Sequence, residues 1–239
     1  MKPRDRLVFA LDVDDLDVAR RLVKDLAPSV GTFKVGPVLH LRHGSAIVDA
    51  IHDVGASVFL DLKFHDIPET VAGASREAMR LGVRMFTVHA LGGKAMIGRA
   101  AAELSRLTLV PGRPRPLCLA VTILTSHDQD TLPTIGLSGL LAANTVRLAK
   151  LALDAGATGL VTSAHELAAL RLALPDDTVY VCPGIRGPND PVGDQSRVMG
   201  AREAIEAGAT HLVVGRPIRD AASPKDAAER ILEDIASAR

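Results

Sequence analysis

The chain has 239 residues, of which 47% are hydrophobic and 23% charged, and its 28 basic and 28 acidic side chains cancel. That balance offers no basic field for nucleic acid and no acidic tail. With no Trp and a single Tyr, the stacking platforms that grip single-stranded nucleic acid are missing too. The length suits one large α/β domain acting on a small molecule.

The start, "MKPRDRLVFALDV", is basic and then apolar, but Asp12 ends the apolar run too early for a signal peptide. No stretch reaches the ~18 apolar residues that would span a bilayer. Cys118 and Cys182 lie in apolar, strand-like runs without metal spacing. They read as buried free thiols, with a disulfide as the alternative, and the expected location is the cytoplasm.

Short β-rich runs alternate with amphipathic segments along the whole chain. The first four are "LVFALDV" (7–13), "TFKVG" (32–36), "SVFLDLK" (57–63) and "RMFTVHA" (84–90). "PLCLAVTIL" (116–124), "TGLVTSA" (158–164), "TVYVCPG" (178–184) and "HLVVGRP" (211–217) follow. Between them stand helical patterns such as "DVARRLVKDLA" and "LLAANTVRLAKLALDAG". "HDVGAS", "LDAGAT" and "IEAGAT" each precede a strand, with Gly placed to end a helix in the left-handed conformation. Eight strand–helix units at about 30-residue spacing predict a single (β/α)8 barrel, a TIM barrel, over residues 1–239. A doubly wound open sheet is the alternative, but no G-x-G-x-x-G follows the first strand. Two long connections, "TSHDQDTLPTIGLSG" and "PGIRGPNDPVGDQSRVMG", follow the fifth and seventh strands, on the face where such barrels keep their chemistry.

Charges gather at the strand ends. In "DLKFHDIPET" (61–70), alternation places Asp61 and Lys63 on one face of the third strand. Asp12 lies near the end of the first strand and Lys34 within the second, so three neighbouring strands bring alternating charges to one rim. Opposite charges about 4 Å apart attract by ~4 kcal/mol at an effective dielectric near 20, so such a cluster is mutually supporting. A purely structural ion-pair cluster is the competing reading. Two lysines among the carboxylates argue against a metal, and a lysine held there stays an ammonium, fit to stabilise negative charge and give up a proton. At the eighth strand, Gly215 lets the backbone approach a ligand and Arg216 has the planar fork that suits phosphate. Arg186 and Gln195 are candidate lid groups. His40 and His43 read as a solvated helix face, His89 as a packing residue at the end of the fourth strand, and His65 as an orienting or solvent-facing residue.

The ordered set "ALDV", "FKVG", "DLKFHDIPET", "VTILTS", "PGIR", "GDQ" and "VVGRPI" resembles the orotidine 5′-monophosphate decarboxylase family nearly end to end, with the family's Asp-x-Lys-x-x-Asp at 61–66. The resemblance implies decarboxylation of orotidine 5′-monophosphate to UMP in de novo pyrimidine synthesis, with no metal or cofactor. It implies that Lys63 stabilises and protonates the C6 carbanion and that Asp61 crowds the substrate carboxylate. Lys34 and Asp12 would hold the ribose and the charge network. Thr125 would meet the pyrimidine or its closing loop, and Arg186, Gln195, the Gly215 backbone and Arg216 the phosphate. It further implies a homodimer in which Asp66 and Thr70 reach into the neighbour's site. Glu69 departs from the Asn common in bacterial members. The nearest rival is a Mg2+-dependent phosphosugar decarboxylase or synthase of the same wider group, which Lys34 and the Arg186–Gln195 loop disfavour. A silent phosphate-binding barrel would lack Lys63 or Asp61, and both are present.

Overall fold

In the computed structural model, which describes residues 1–106, 114–187 and 197–238, eight parallel strands close on themselves in sequence order. They are β1 (Leu7–Ala10), β2 (Thr32–Val35), β3 (Ser57–Phe64), β4 (Met85–His89), β5 (Leu117–Val121), β6 (Gly159–Val161), β7 (Tyr180–Cys182) and β8 (His211–Val214). Helices Leu16–Leu26, Ala46–Asp53, Pro68–Arg80, Gly93–Arg106, Leu141–Asp154, Leu167–Ala173, Ala201–Glu206 and Pro224–Ser237 follow the strands in turn. The expected (β/α)8 barrel is the observed fold. No helix among the described residues is long and apolar enough to cross a membrane.

Alternation along each strand divides the core in two. Outward residues such as Leu7, Phe9, Phe33, Leu60 and Phe86 meet the helix ring in one large apolar layer. Inward residues Val8, Ala10, Phe59, Met85, Leu119, Val121, Val161, Val181 and Val213 fill the barrel itself. This second core is small and apolar and forms the floor on which the charged residues above it rest. The helix-ending glycines behave as the sequence signature requires: Gly55, Gly156 and Gly208 have φ of 72°, 100° and 112°, which a side chain would strain.

Several strands are shorter than the hydrophobic runs suggest. β1 ends at Ala10, so Asp12 stands beyond the ladder, and β6 and β7 have three residues each. The runs extend past the strands because the next residues, such as Leu11 and Thr162, are still buried. Single bonds carry the ladder slightly further, from Leu11 N to the Lys34 carbonyl (3.0 Å) and from Thr122 N to the Val161 carbonyl (3.1 Å).

The N-terminal side of the barrel is sealed by arginines. Arg4 donates to the Ala27 carbonyl, and Arg6 to the carbonyls of Ala209 (2.7 Å) and Thr210 (3.2 Å) at the entrance to β8. His211, the first residue of β8, is buried beside them, and burial, reinforced by Arg84 and Arg6, lowers its pKa from 6.5 to about 4. Cys118 and Cys182 are buried free thiols, and burial pushes the Cys118 thiol up to about 12.

A histidine whose folded pKa is depressed supports the fold above its unfolded pKa, and that support fades as pH falls towards the folded value. The thermal midpoint should therefore decline between pH 6.5 and about 4. His211→Gln should flatten that decline, as read by thermal unfolding across the pH series. An unchanged slope in the variant would show that His211 is not the group responsible.

Candidate active site

A cavity of about 400 Å³ opens at the C-terminal ends of the strands. Its floor is Ala10, Phe59, Val121, Val161 and Val213, and its walls carry Asp12, Lys34, Asp61, Lys63, Thr125, Arg186, Gly215 and Arg216. Eight of the residues singled out in the sequence thus face one space. Asp66 and Thr70 do not: both are exposed, outside this cavity, and Asp66 Oδ1 accepts the Ile67 N–H (2.6 Å). Gln195 lies outside the described residues.

The four rim charges form an alternating chain. Lys34 Nζ donates to Asp12 Oδ1 at 2.9 Å and lies 3.9 Å from Asp61 Oδ2. Lys63 Nζ donates to both Asp61 oxygens, at 3.0 and 2.9 Å. Asp61 and Lys34 are the enclosed pair, each with a side chain only 12% exposed, whereas Lys63 is 38% exposed and projects into the cavity. Removing a carboxylate from water costs several kcal/mol unless cations and donors surround it, and Asp61 has both. Among the described residues no cluster of three or more His, Cys, Asp or Glu side chains is arranged to hold a metal ion.

The way Lys63 reaches this position differs from the expected simple alternation. β3 and β4 are in register at Leu60–Phe86 and again at Phe64–Val88, so β3 carries Asp61, Leu62 and Lys63 where β4 carries Thr87 alone. The surplus is absorbed in a bulge at which Lys63 adopts φ 49°, the positive-φ conformation seen at no other non-glycine among the described residues. Lys63 therefore shares Asp61's rim through a backbone kink, not through a regular pleat.

Beyond Asp12, at the end of β8, Gly215 approaches β1 so closely that a Cβ there would sit 3.3 Å from Ala10 Cβ. Arg219 was not anticipated from sequence. It lines the cavity, donates to the Asp12 carbonyl (2.9 Å), and pairs with Asp220. Its spacing of three from Arg216 on one helical turn was the available signal. Arg197 was also missed. It pairs with the buried Glu166 and donates to the Leu124 carbonyl (3.0 Å), joining the segment after β7 to those after β6 and β5. Glu166 also accepts from Thr162 and from the Ser163 N–H, and burial raises its pKa against the pull of Arg197.

The histidines stand apart from the main cavity. His89 lines a separate pocket of about 110 Å³ with His127, and its ring stacks on His65 at 5.5 Å. Burial, then the charges of His65, Lys63 and His127, lowers the His89 pKa to about 4, so it is neutral at physiological pH. His43 Nε2 lies 2.9 Å from the Asp14 carbonyl, and His40 is half-buried with its Nδ1 enclosed, so only part of that helix face is solvated. Glu69 is paired bidentately with Arg99, at 2.6 and 2.8 Å, which keeps its carboxyl below the usual range. The charge introduced by this departure is matched within the chain.

The sequence profile described as "Orotidine 5'-phosphate decarboxylase / HUMPS family" matches residues 5–231. The chain belongs to this family. It is 47% identical to the orotidine 5'-phosphate decarboxylase of Syntrophotalea carbinolica, over 100% of this chain and 98% of that protein. It is 46% identical to that of Heliobacterium modesticaldum, over 99% and 98%. The crystal structure of orotidine 5'-phosphate decarboxylase from Lactobacillus acidophilus superposes with a TM-score of 0.84 at 36% identity, covering 97% of this chain and 99% of that one. In this member of the orotidine 5'-phosphate decarboxylase / HUMPS family, the matched region includes all eight strands and every rim charge.

Arg197→Met would leave Glu166 buried without its cation, and such a loss costs about 3–5 kcal/mol. Denaturant unfolding should register that cost, and the double variant Glu166→Gln/Arg197→Met should recover part of it. A single variant as stable as wild type would show the pair to be energetically idle.

Proposed function

We propose that the protein decarboxylates orotidine 5′-monophosphate to UMP without a metal or organic cofactor, as a step of pyrimidine synthesis. The observation that carries this reading is the Asp12–Lys34–Asp61–Lys63 chain on the wall of the strand-end cavity, in a chain whose relatives are named for that reaction.

The chemistry is hard because the electron pair left at C6 lies in the ring plane, where no carbonyl π-system can absorb it. The C6–carboxylate bond breaks, CO2 departs, and the pair stays on C6. Lys63 is assigned the cation facing that pair; it then transfers a proton from Nζ to C6 and is reprotonated from solvent. A preorganised ammonium needs little reorientation as charge develops, which is where electrostatic catalysis is strongest. Asp61 fixes Lys63 and, with its own negative charge, disfavours the substrate carboxylate relative to the transition state. Lys34 and Asp12 hold the ribose. Thr125 is assigned to the pyrimidine, and Arg186, Gln195, Gly215 and Arg216 to the phosphate, whose binding energy helps close the site.

Metal independence is supported by the occupancy of the carboxylates. Asp61 is engaged by Lys63 and Asp12 by Lys34, and a Mg2+ ion would have to displace ammonium groups from both. The loss of orotidine monophosphate absorbance in the ultraviolet is the direct assay. Activity should be unaffected by excess EDTA. An inactive protein overturns the reading, and EDTA-sensitive activity restored by Mg2+ favours the phosphosugar rival.

The active unit is proposed to be a homodimer with Asp66 and Thr70 completing the partner's site, a reading supported by their exposure outside their own cavity. Mixing Lys63→Ala and Asp66→Ala homodimers, each nearly inactive, would then create heterodimers with one intact site. Random exchange at equal amounts should restore about a quarter of wild-type activity, by two-fold symmetry. Confirmed subunit exchange with no recovery would place Asp66 in its own subunit's site or outside any shared one.

A further inference from the structure

We propose that Thr87 is the positioning residue that sets Lys63 and Asp61 in their working geometry, an inference that rests on the decarboxylase reading and deepens it. Thr87 sits in β4 opposite the β3 bulge and is fully buried. Its hydroxyl has two partners in the rim cluster. Oγ1 accepts the Lys63 backbone N–H at 2.8 Å and donates to Asp61 Oδ1 at 3.0 Å. A hydroxyl has one proton to give, and both roles are used at once.

The bulge gives these bonds their importance. Where β3 and β4 lose register, the Lys63 N–H leaves the regular ladder, and a donor without a partner there would be costly. Thr87 takes that donor with a side chain and so holds the one positive-φ side-chain-bearing residue among those described. The same oxygen then directs its proton to the carboxylate that grips Lys63 Nζ from the other end. Backbone, carboxylate and ammonium are thus locked into one ring of contacts through a single hydroxyl. Without it, Asp61 loses a donor and Lys63 loses the restraint on its backbone, while Arg216, Gly215 and Arg186 follow β8 and β7, away from the β3–β4 bulge.

Lys63 and Asp61 act at the reacting carbon, whereas the phosphate and ribose contacts are made away from it. Loss of the hydroxyl should therefore lower kcat with little change in KM. Thr87→Ser and Thr87→Ala both lack the methyl and differ by the hydroxyl alone, so their comparison isolates it from packing. The Ser variant should stay within about threefold of wild type in kcat, and the Ala variant should fall by about tenfold or more. Both should bind UMP, which has the ribose and phosphate but no carboxylate, as wild type does. Equal kcat in the two variants would overturn the proposal. So would a fall in UMP affinity matching the fall in kcat, since that would mean general damage to the site. Inactivity of wild type toward orotidine monophosphate would refute the underlying function instead, and circular dichroism of each variant identifies any that misfolds, leaving the Ser variant's kcat as the deciding value.

Discussion

The contact on which the rest of the site depends is the pairing of Lys63 Nζ with both oxygens of Asp61 at the inner end of the rim. Asp61, with its side chain only 12% exposed, would be expensive there if it stood alone. Together, with Lys34 on the other side of Asp61 and Asp12 beyond, they form a sequence of alternating charge in which every member faces an opposite neighbour. Such a chain does more than offset burial. It fixes an ammonium at a defined point over an apolar floor, where a preorganised charge needs little reorientation.

Holding that arrangement requires a stiff frame, and the barrel separates the tasks. The outer apolar layer between strands and helices provides most of the burial, and the inner layer of nine apolar side chains, Phe59 and Met85 the largest of them, gives the cavity its base. The N-terminal side is tied off by Arg4 and Arg6 on backbone carbonyls. The opposite side is left to carry residues that serve the cavity at some expense to the fold. Lys63 at φ 49° is the clearest case, since a non-glycine residue in that conformation costs about 1–3 kcal/mol. The surrounding β3–β4 pairing and the Thr87 hydroxyl maintain it.

The barrel was legible in the sequence because its signals are local and repeated: apolar runs of strand length, amphipathic helices, and glycines at the same offset after three of them. The rim charges were legible because charges inside apolar runs are conspicuous. What failed to show was the backbone path between them. Alternation alone put Lys63 beside Asp61, but the real route is a bulge, and nothing in "DLKF" marks a positive φ at a lysine. Thr87 looked like any β-branched strand residue, and its role appears only when β4 is laid against the irregular part of β3. Arg197 and Glu166, 31 residues apart, carry no shared pattern, because their meeting depends on how three separate loops converge. Asp66 and Thr70 are the opposite case: the motif singles them out, yet within one chain they face outward.

The account turns on an ammonium at one carbon, so the most direct measurement is decarboxylation by Lys63→Ala, alongside its affinity for UMP. If Lys63 stabilises the C6 electron pair and supplies its proton, the variant should remain folded, bind UMP, and lose nearly all turnover. A native-like variant with intact UMP binding and a rate within about tenfold of wild type, roughly 1.4 kcal/mol of barrier, would contradict the assignment.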